Sequence, residues 1–256
     1  MDAIEQGFLQ ALREDPLDRT TRLVYADWLD DRDDPRGGFL REEAELVALS
    51  PGEERWRELQ ARLGRAVMTF DPEWVTDVSL FAHHMYWHWR NLRAFKPYPK
   101  DRQSITRATR CVQWQRAITE LDRRFARRFS ALTGDDRFRI PLDYALFQIV
   151  FGSGWCRGGY DDGDYMAILS ILDVRDRSLL WFKNVDECGG EGVGVHLSLC
   201  ISETIGFRQL LCCDRGHLSF GSVHNLDHLS DPRRLGTATE TLIAPSFLDF
   251  LRTIPP

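Results

Sequence analysis

The hydrophobic residues of this chain change period at one place, the break formed by Gly152, Ser153 and Gly154. Before it, apolar side chains recur every three or four positions, the spacing of helices that bury one face. After it they fall into short runs separated by glycine and aspartate, the pattern of strands and turns. The final stretch, SFLDFLRTI at residues 246–254, returns to helical spacing. Helices on both sides of a meander of strands predict an α+β fold. The expected architecture is a small N-terminal helical module followed by a mainly antiparallel sheet flanked by helices.

The chain has 256 residues, enough for one large domain or two modest ones with a real core. Its formal charge of −6 excludes a uniformly basic protein, so nucleic acid is not the default partner. The N-terminal MDAIEQGFLQALRED carries acids early and has no continuous apolar core, unlike a signal peptide. No run approaches the roughly 20 apolar residues that cross a bilayer. Six scattered cysteines, with Cys212 and Cys213 adjacent, do not form a disulfide framework. These features predict a reduced, cytoplasmic protein with no membrane partner.

Charge divides the chain further. Residues 1–82 hold 10 basic and 19 acidic side chains, residues 83–128 hold 12 and 3, and residues 129–256 hold 11 and 17. With periodicity added, this predicts a helical module at 1–82, a basic aromatic connector at 83–111 and an α+β domain at 112–256.

In the first module, Ile4, Phe8, Ala11 and Leu12 predict a helix that stops near Glu14, before Asp15 and Pro16. Thr20 or Thr21 is expected to cap a second helix with Leu23, Val24, Trp28 and Leu29 inward. The turn formers of DDRDDPRGG, residues 30–38, close that helix. Phe39, Leu40, Ala44 and Val47 predict a third helix, and Trp56, Leu59, Leu63 and Ala66 a fourth. The string LVYADWLDDRDDPRGGFLRE, residues 23–42, resembles the signature of the bacterial repeat-companion domain, a small helical module found beside repeats and interaction domains. Tyr25, Asp27, Trp28 and Arg36 could form a peptide-binding patch. Alternatively, Trp28 is core and Asp27 braces the loop, the usual fate of aromatics at helical spacing.

The connector begins HHMYWHWRNLRAFKPYPKDR, where Trp87, Trp89, Phe95 and Tyr98 alternate with Arg90, Arg93, Lys96 and Lys100. Such a mixture can stack bases and neutralise phosphates. Packing of the aromatics between two acidic modules is the favoured reading. His84 and His88, one helical turn apart, could share a metal ion, but no further ligands complete a set nearby.

From Val112 a helix is expected with Ile118, Leu121, Phe125 and Phe129 on one side and Arg116, Arg123, Arg124, Arg127 and Arg128 largely on others. Next come Ile140, Pro141, Asp143 and Tyr144 in IPLDYALFQIVFGSG, residues 140–154. The expected strands are WCRGGY (155–160), MAILSIL (166–172), SLLWF (178–182), VHLSLCI (195–201), FRQLLCC (207–213) and LSFGSVHNL (218–226). APSFLDFLRTI, residues 244–254, closes the chain, with Pro245 and Ser246 opening its helix.

The runs at 140–154 and 244–254 resemble the opening and closing signatures of the SUKH superfamily, and the strands between them match its order. That family binds other proteins and includes many bacterial toxin-immunity proteins. The resemblance covers about residues 115–256. It implies a non-catalytic immunity or regulatory protein that engages a protein partner through a sheet surface and variable loops. A scaffold or adaptor subunit of a larger bacterial assembly is the alternative. The acidic run DDGD (161–164), the cysteine pair and DPRRLGTATETL (231–242) are not general features of the family.

The loop acids Asp161, Asp162, Asp164, Asp186 and Glu187 are the candidate partner contacts, because an acidic surface steers a basic, nuclease-type toxin. DDGD as a cation site ranks below a solvated turn. The loop DECGGEGVG lacks the lysine and hydroxyl residue of a phosphate loop. Cys212, Cys213, His217, His224 and His228 offer thiols and imidazoles, but strand alternation sends several to opposite faces. Neither a catalytic residue, a cofactor nor a metal is therefore assigned.

Overall fold

In the computed structural model, which describes residues 2–91, 96–97, 107–152, 154–157, 165–168, 174, 198–204, 207–227 and 240–253, aspartates start the first two helices. Asp2 accepts the N–H of Ile4 to cap α1 (Ala3–Glu14), and Asp18 accepts those of Thr20 and Thr21 to cap α2 (Arg19–Asp30). The expected threonine cap is thus displaced to Asp18, whose carboxylate reaches the exposed N–H groups from outside the first turn. α3 spans Arg36–Ala48, α4 Glu54–Ala66 and α5 Pro72–Val78, the last capped by Asp71 with proline at its start. α6 (Leu80–Asn91) and α7 (Arg107–Thr133) follow, so the expected module boundaries at residues 82 and 111 fall inside helices.

Leu29, Phe39 and Leu40 turn inward as expected, but other positions on α2 and α3 differ. On α2, Arg22, Tyr25, Ala26 and Leu29 are buried while Leu23 and Val24 are exposed; on α3, Leu46 is buried and Val47 exposed. Ile4 is also exposed. Arg22 can displace an apolar residue from the interior because Val78 and Pro16 carbonyls accept from it and Glu43 faces it at 3.6 Å. In α4, Trp56, Leu59 and Leu63 turn inward as expected.

α8 (Leu142–Val150) begins after Pro141, which takes the N-cap position with ψ 148°. Gly152 ends it at φ 71°, its N–H donating to the Phe147 and Gln148 carbonyls, with the Trp114 ring against its α-carbon. The sheet strands are β1 (Lys96–Pro97), β2 (Gly154–Arg157), β3 (Tyr165–Ile168), β4 (Ser198–Thr204), β5 (Phe207–Cys212), β6 (Val223–Asp227) and β7 (Glu240–Ala244). They lie side by side in chain order, and every pairing is antiparallel. α9 (Phe247–Thr253) closes the α+β fold, with Ser246 Oγ accepting the Asp249 N–H.

Three details of the meander differ from the periodic reading. Residues 218–221 are turn, where Gly221 adopts φ 82° before β6 begins. β7 forms at the end of the stretch expected to be an insertion, and β1 adds a two-residue edge from the connector. The expected strand at 178–182 lies outside the described residues.

One cluster of buried side chains runs from Leu9 and Leu12 through Trp56, Leu63, Ile118 and Phe147 to Leu211 and Leu251. The first module is therefore packed directly on the second half. Gly64 of α4 lets the helix press on the chain before α8: a methyl group added there would lie 2.3 Å from the Ile140 carbonyl oxygen. Gln60 Oε1 accepts the Asp143 N–H at 3.3 Å, and Gln115 of α7 donates to the Val67 and Phe70 carbonyls. At the far end Trp56 covers Gly221, and Arg57 donates to the Leu218 carbonyl at 3.4 Å. Each large apolar side chain buried at this seam contributes about 1.5–3 kcal/mol.

Candidate protein-binding surface

The loop acids Asp161, Asp162, Asp164, Asp186 and Glu187 all lie outside the described residues. So do the side chains of the aromatic connector, including His88 of the histidine pair, and His228. His83 and His84 are described; burial lowers the pKa of both imidazoles, which keeps them neutral at higher acidity.

The first-module patch separates into buried and exposed parts. The Tyr25 hydroxyl donates to Glu5 Oε1 at 3.0 Å and accepts from Trp74 Nε1 at 2.9 Å. Its phenol is fully buried, and desolvation raises its pKa. Asp27 pairs with Arg41 across the α2–α3 loop, bracing it, and Arg41 also holds Asp30. Arg36 pairs with Asp34 and with Glu5 at 2.8 Å, and lies over Trp74. Trp28 is partly buried against Phe8 and Tyr25, with the Arg32 guanidinium 3.8 Å above its ring. Of the four, Tyr25 is buried, Trp28 and Arg36 are partly exposed and Asp27 is exposed, beside exposed Val24.

Cys212, at the end of β5, and Cys213 are both buried. Burial pushes the Cys213 thiol well up, away from the thiolate a nucleophile requires. His217 Nδ1 accepts the Ser219 N–H at 3.1 Å. Ser222 Oγ contacts both the Ser219 carbonyl and His224 Nε2. Among the described residues no group of three or more His, Cys, Asp or Glu gathers in metal-binding geometry.

Two buried carboxylates tie elements together. Glu43 accepts from Ser79 Oγ at 2.5 Å and from the N–H groups of Leu80 and Phe81, thereby capping α6 opposite Arg22. Desolvation raises its pKa and lowers that of Arg22. Asp143 accepts the N–H of Leu248 at 3.0 Å and of its neighbour Tyr144 at 2.9 Å. Full burial pushes its carboxyl up to about 7.

The long helix α7 shows a different surface, which periodicity had already separated from its apolar side. Ile118, Leu121, Phe125 and Phe129 are buried, whereas Arg116, Glu120, Arg123, Arg124 and Arg127 are all exposed. Glu120 is held by Arg123. Among the described residues no carboxylate pairs with Arg116, Arg124 or Arg127.

Among the described residues no helix is long and apolar enough to cross a membrane. No family model, curated protein or solved structure matches the chain.

Proposed function

We propose that this chain is a non-catalytic, cytoplasmic protein-binding protein of the toxin-immunity or regulatory kind, with its C-terminal α+β half engaging the partner. The observation that carries this reading is the meeting of the two runs on which the SUKH resemblance rests. Asp143 from the first caps the helix of the second through Leu248, and Tyr144 and Phe147 pack edge-on against Phe247. A helix, a chain-order antiparallel meander and a closing helix seated on the first helix support that likeness. The loops between strands are then the variable elements available to a partner.

The acids Asp161, Asp162, Asp164, Asp186 and Glu187 are proposed as its contacts, and a basic protein as its ligand. Affinity for a protein encoded beside this chain would be measured by titration calorimetry. Reversing the five charges to lysine should weaken binding at least about tenfold and flatten its salt dependence. Unchanged affinity would remove the acidic surface from the proposal.

A scaffold or adaptor role is the second reading. The observation favouring it is the shared core of the two halves, which fixes the first module rigidly to the second instead of leaving it tethered. Recovery of a multi-component assembly from the native host, with two partners contacting opposite halves, would select it over immunity.

A further inference from the structure

We propose that the exposed arginine ridge of α7 is a second docking surface, and that it takes an acidic helical segment of another protein. α7 has 27 residues, and its buried stripe is satisfied by this chain's own core. Positions 116, 120, 123, 124 and 127 follow the i, i+4, i+7, i+8, i+11 progression of one helical face. From Arg116 to Arg127 the ridge is about 16 Å long. All five of these side chains are exposed.

Among the described residues, the charge of this face is compensated only at Arg123. Glu120, the single acid within it, is engaged by Arg123. Asp122, the next acid on the helix, is turned inward, and desolvation raises its pKa, favouring the neutral form. Arg116, Arg124 and Arg127 have no carboxylate partner among the described residues. Arg13, Arg36, Arg41, Arg55 and Arg62 of the first module, by comparison, are each paired with a carboxylate. Three guanidiniums held along one helix, with no carboxylate partner among the described residues, complement carboxylates presented at the same helical spacing.

The rest of the molecule decides between polyanions. Nucleic acid concentrates its charge along a continuous backbone, and its approach would be opposed by the formal −6 of the whole chain and the acidic first module. An acidic helix places a few carboxylates at the ridge and presents little charge elsewhere. Ala126 and Ala131 border Arg127 beside a shallow depression that also includes Ser130 and Asp136, giving the end of such a helix small side chains to rest on. This surface is opposite in sign to the acidic loops assigned to the first partner, and it does not depend on that assignment.

The test uses the full chain and a fluorescein-labelled alanine-based peptide with glutamate at i, i+4, i+7 and i+11. Fluorescence anisotropy should report binding that fades as salt shortens the screening length. The matching glutamine peptide should not bind. Arg116→Glu/Arg124→Glu/Arg127→Glu should lower affinity at least about tenfold, while the triple lysine variant retains most of it. Thermal unfolding of both variants should match the parent, because these side chains touch no described partner. Charge reversal at the five loop acids should not abolish peptide binding, which separates this result from failure of the proposed function. Equal binding of the glutamine peptide, unchanged affinity of the glutamate variant or tighter binding of a DNA duplex than of the peptide would overturn the proposal. Loss of a dimer in the glutamate variant, seen by sedimentation, would also overturn it by assigning the ridge to a second copy of this chain.

Discussion

The Asp143 carboxylate accepts the Leu248 N–H at 3.0 Å, joining residues 105 positions apart. It occupies the junction where α8, α9 and, through Gln60, α4 converge. A carboxyl group with two backbone donors remains ionisable only at a cost when it is fully buried, which is why its pKa rises to about 7.

Folding stability should fall as pH rises through the interval set by this shift. The folded carboxyl binds its proton up to about pH 7, whereas the unfolded group releases it near its ordinary value of 3.8. The contribution is fully present below the lower value and lost by the upper one, on the order of a few kcal/mol. Asp143→Asn, which mimics the neutral form, should remove this component. Urea denaturation at about pH 5 and pH 8 compares the two proteins within the affected range. The same pH slope in both would exclude Asp143 as its source.

Glu43→Ala should destabilise the fold by about 3–5 kcal/mol, because it strands Arg22 in the interior and uncaps α6. Arg22 is 2% exposed and its partner 0%. Glu43→Gln should cost less, since an amide oxygen can still accept from Leu80. Chemical denaturation of the three proteins gives the order; an alanine variant as stable as the parent contradicts it.

Two glycines should respond in opposite directions to alanine. Gly64→Ala places a methyl group against a backbone oxygen and should cost about 1–3 kcal/mol. Gly7→Ala meets nothing within 4 Å on α1 and should gain about 0.5–1 kcal/mol. Thermal melts decide both, and a neutral Gly64→Ala would show that α4 can move away from Ile140.

The peptide containing Cys212 and Cys213 should resist alkylation in the folded protein and react once denaturant is added. Both thiols are buried, and the Cys213 pKa is raised by desolvation. Mass spectrometry after brief iodoacetamide treatment measures this. Rapid native labelling of either residue would reopen a thiol chemistry for the sheet.

Particular residues show how far periodicity reached. Trp56, Leu59, Leu63, Ile118, Phe125 and Phe129 were placed inward by spacing alone, and all are buried. Arg22 was not, because its burial depends on Glu43 and on carbonyls from distant turns. Spacing points Leu23 and Val24 inward in its place, since it records hydrophobicity but not the partners that make a guanidinium tolerable inside. The arginine side of α7 was visible in the sequence. Its lack of compensating acids was not, because carboxylates from other elements can be placed against it or away from it only by the tertiary fold.

The local sequence determined the α+β class, the break at Gly152, the stop after Glu14 and the closing helix opened by Pro245 and Ser246. These depend on backbone geometry and on side-chain periods that act over a few residues. Tertiary structure decided that the two halves share one core. That outcome requires Gly64 to admit Ile140, Gln60 to meet Asp143 and Trp56 to cover Gly221, contacts between residues too far apart for any local pattern to specify.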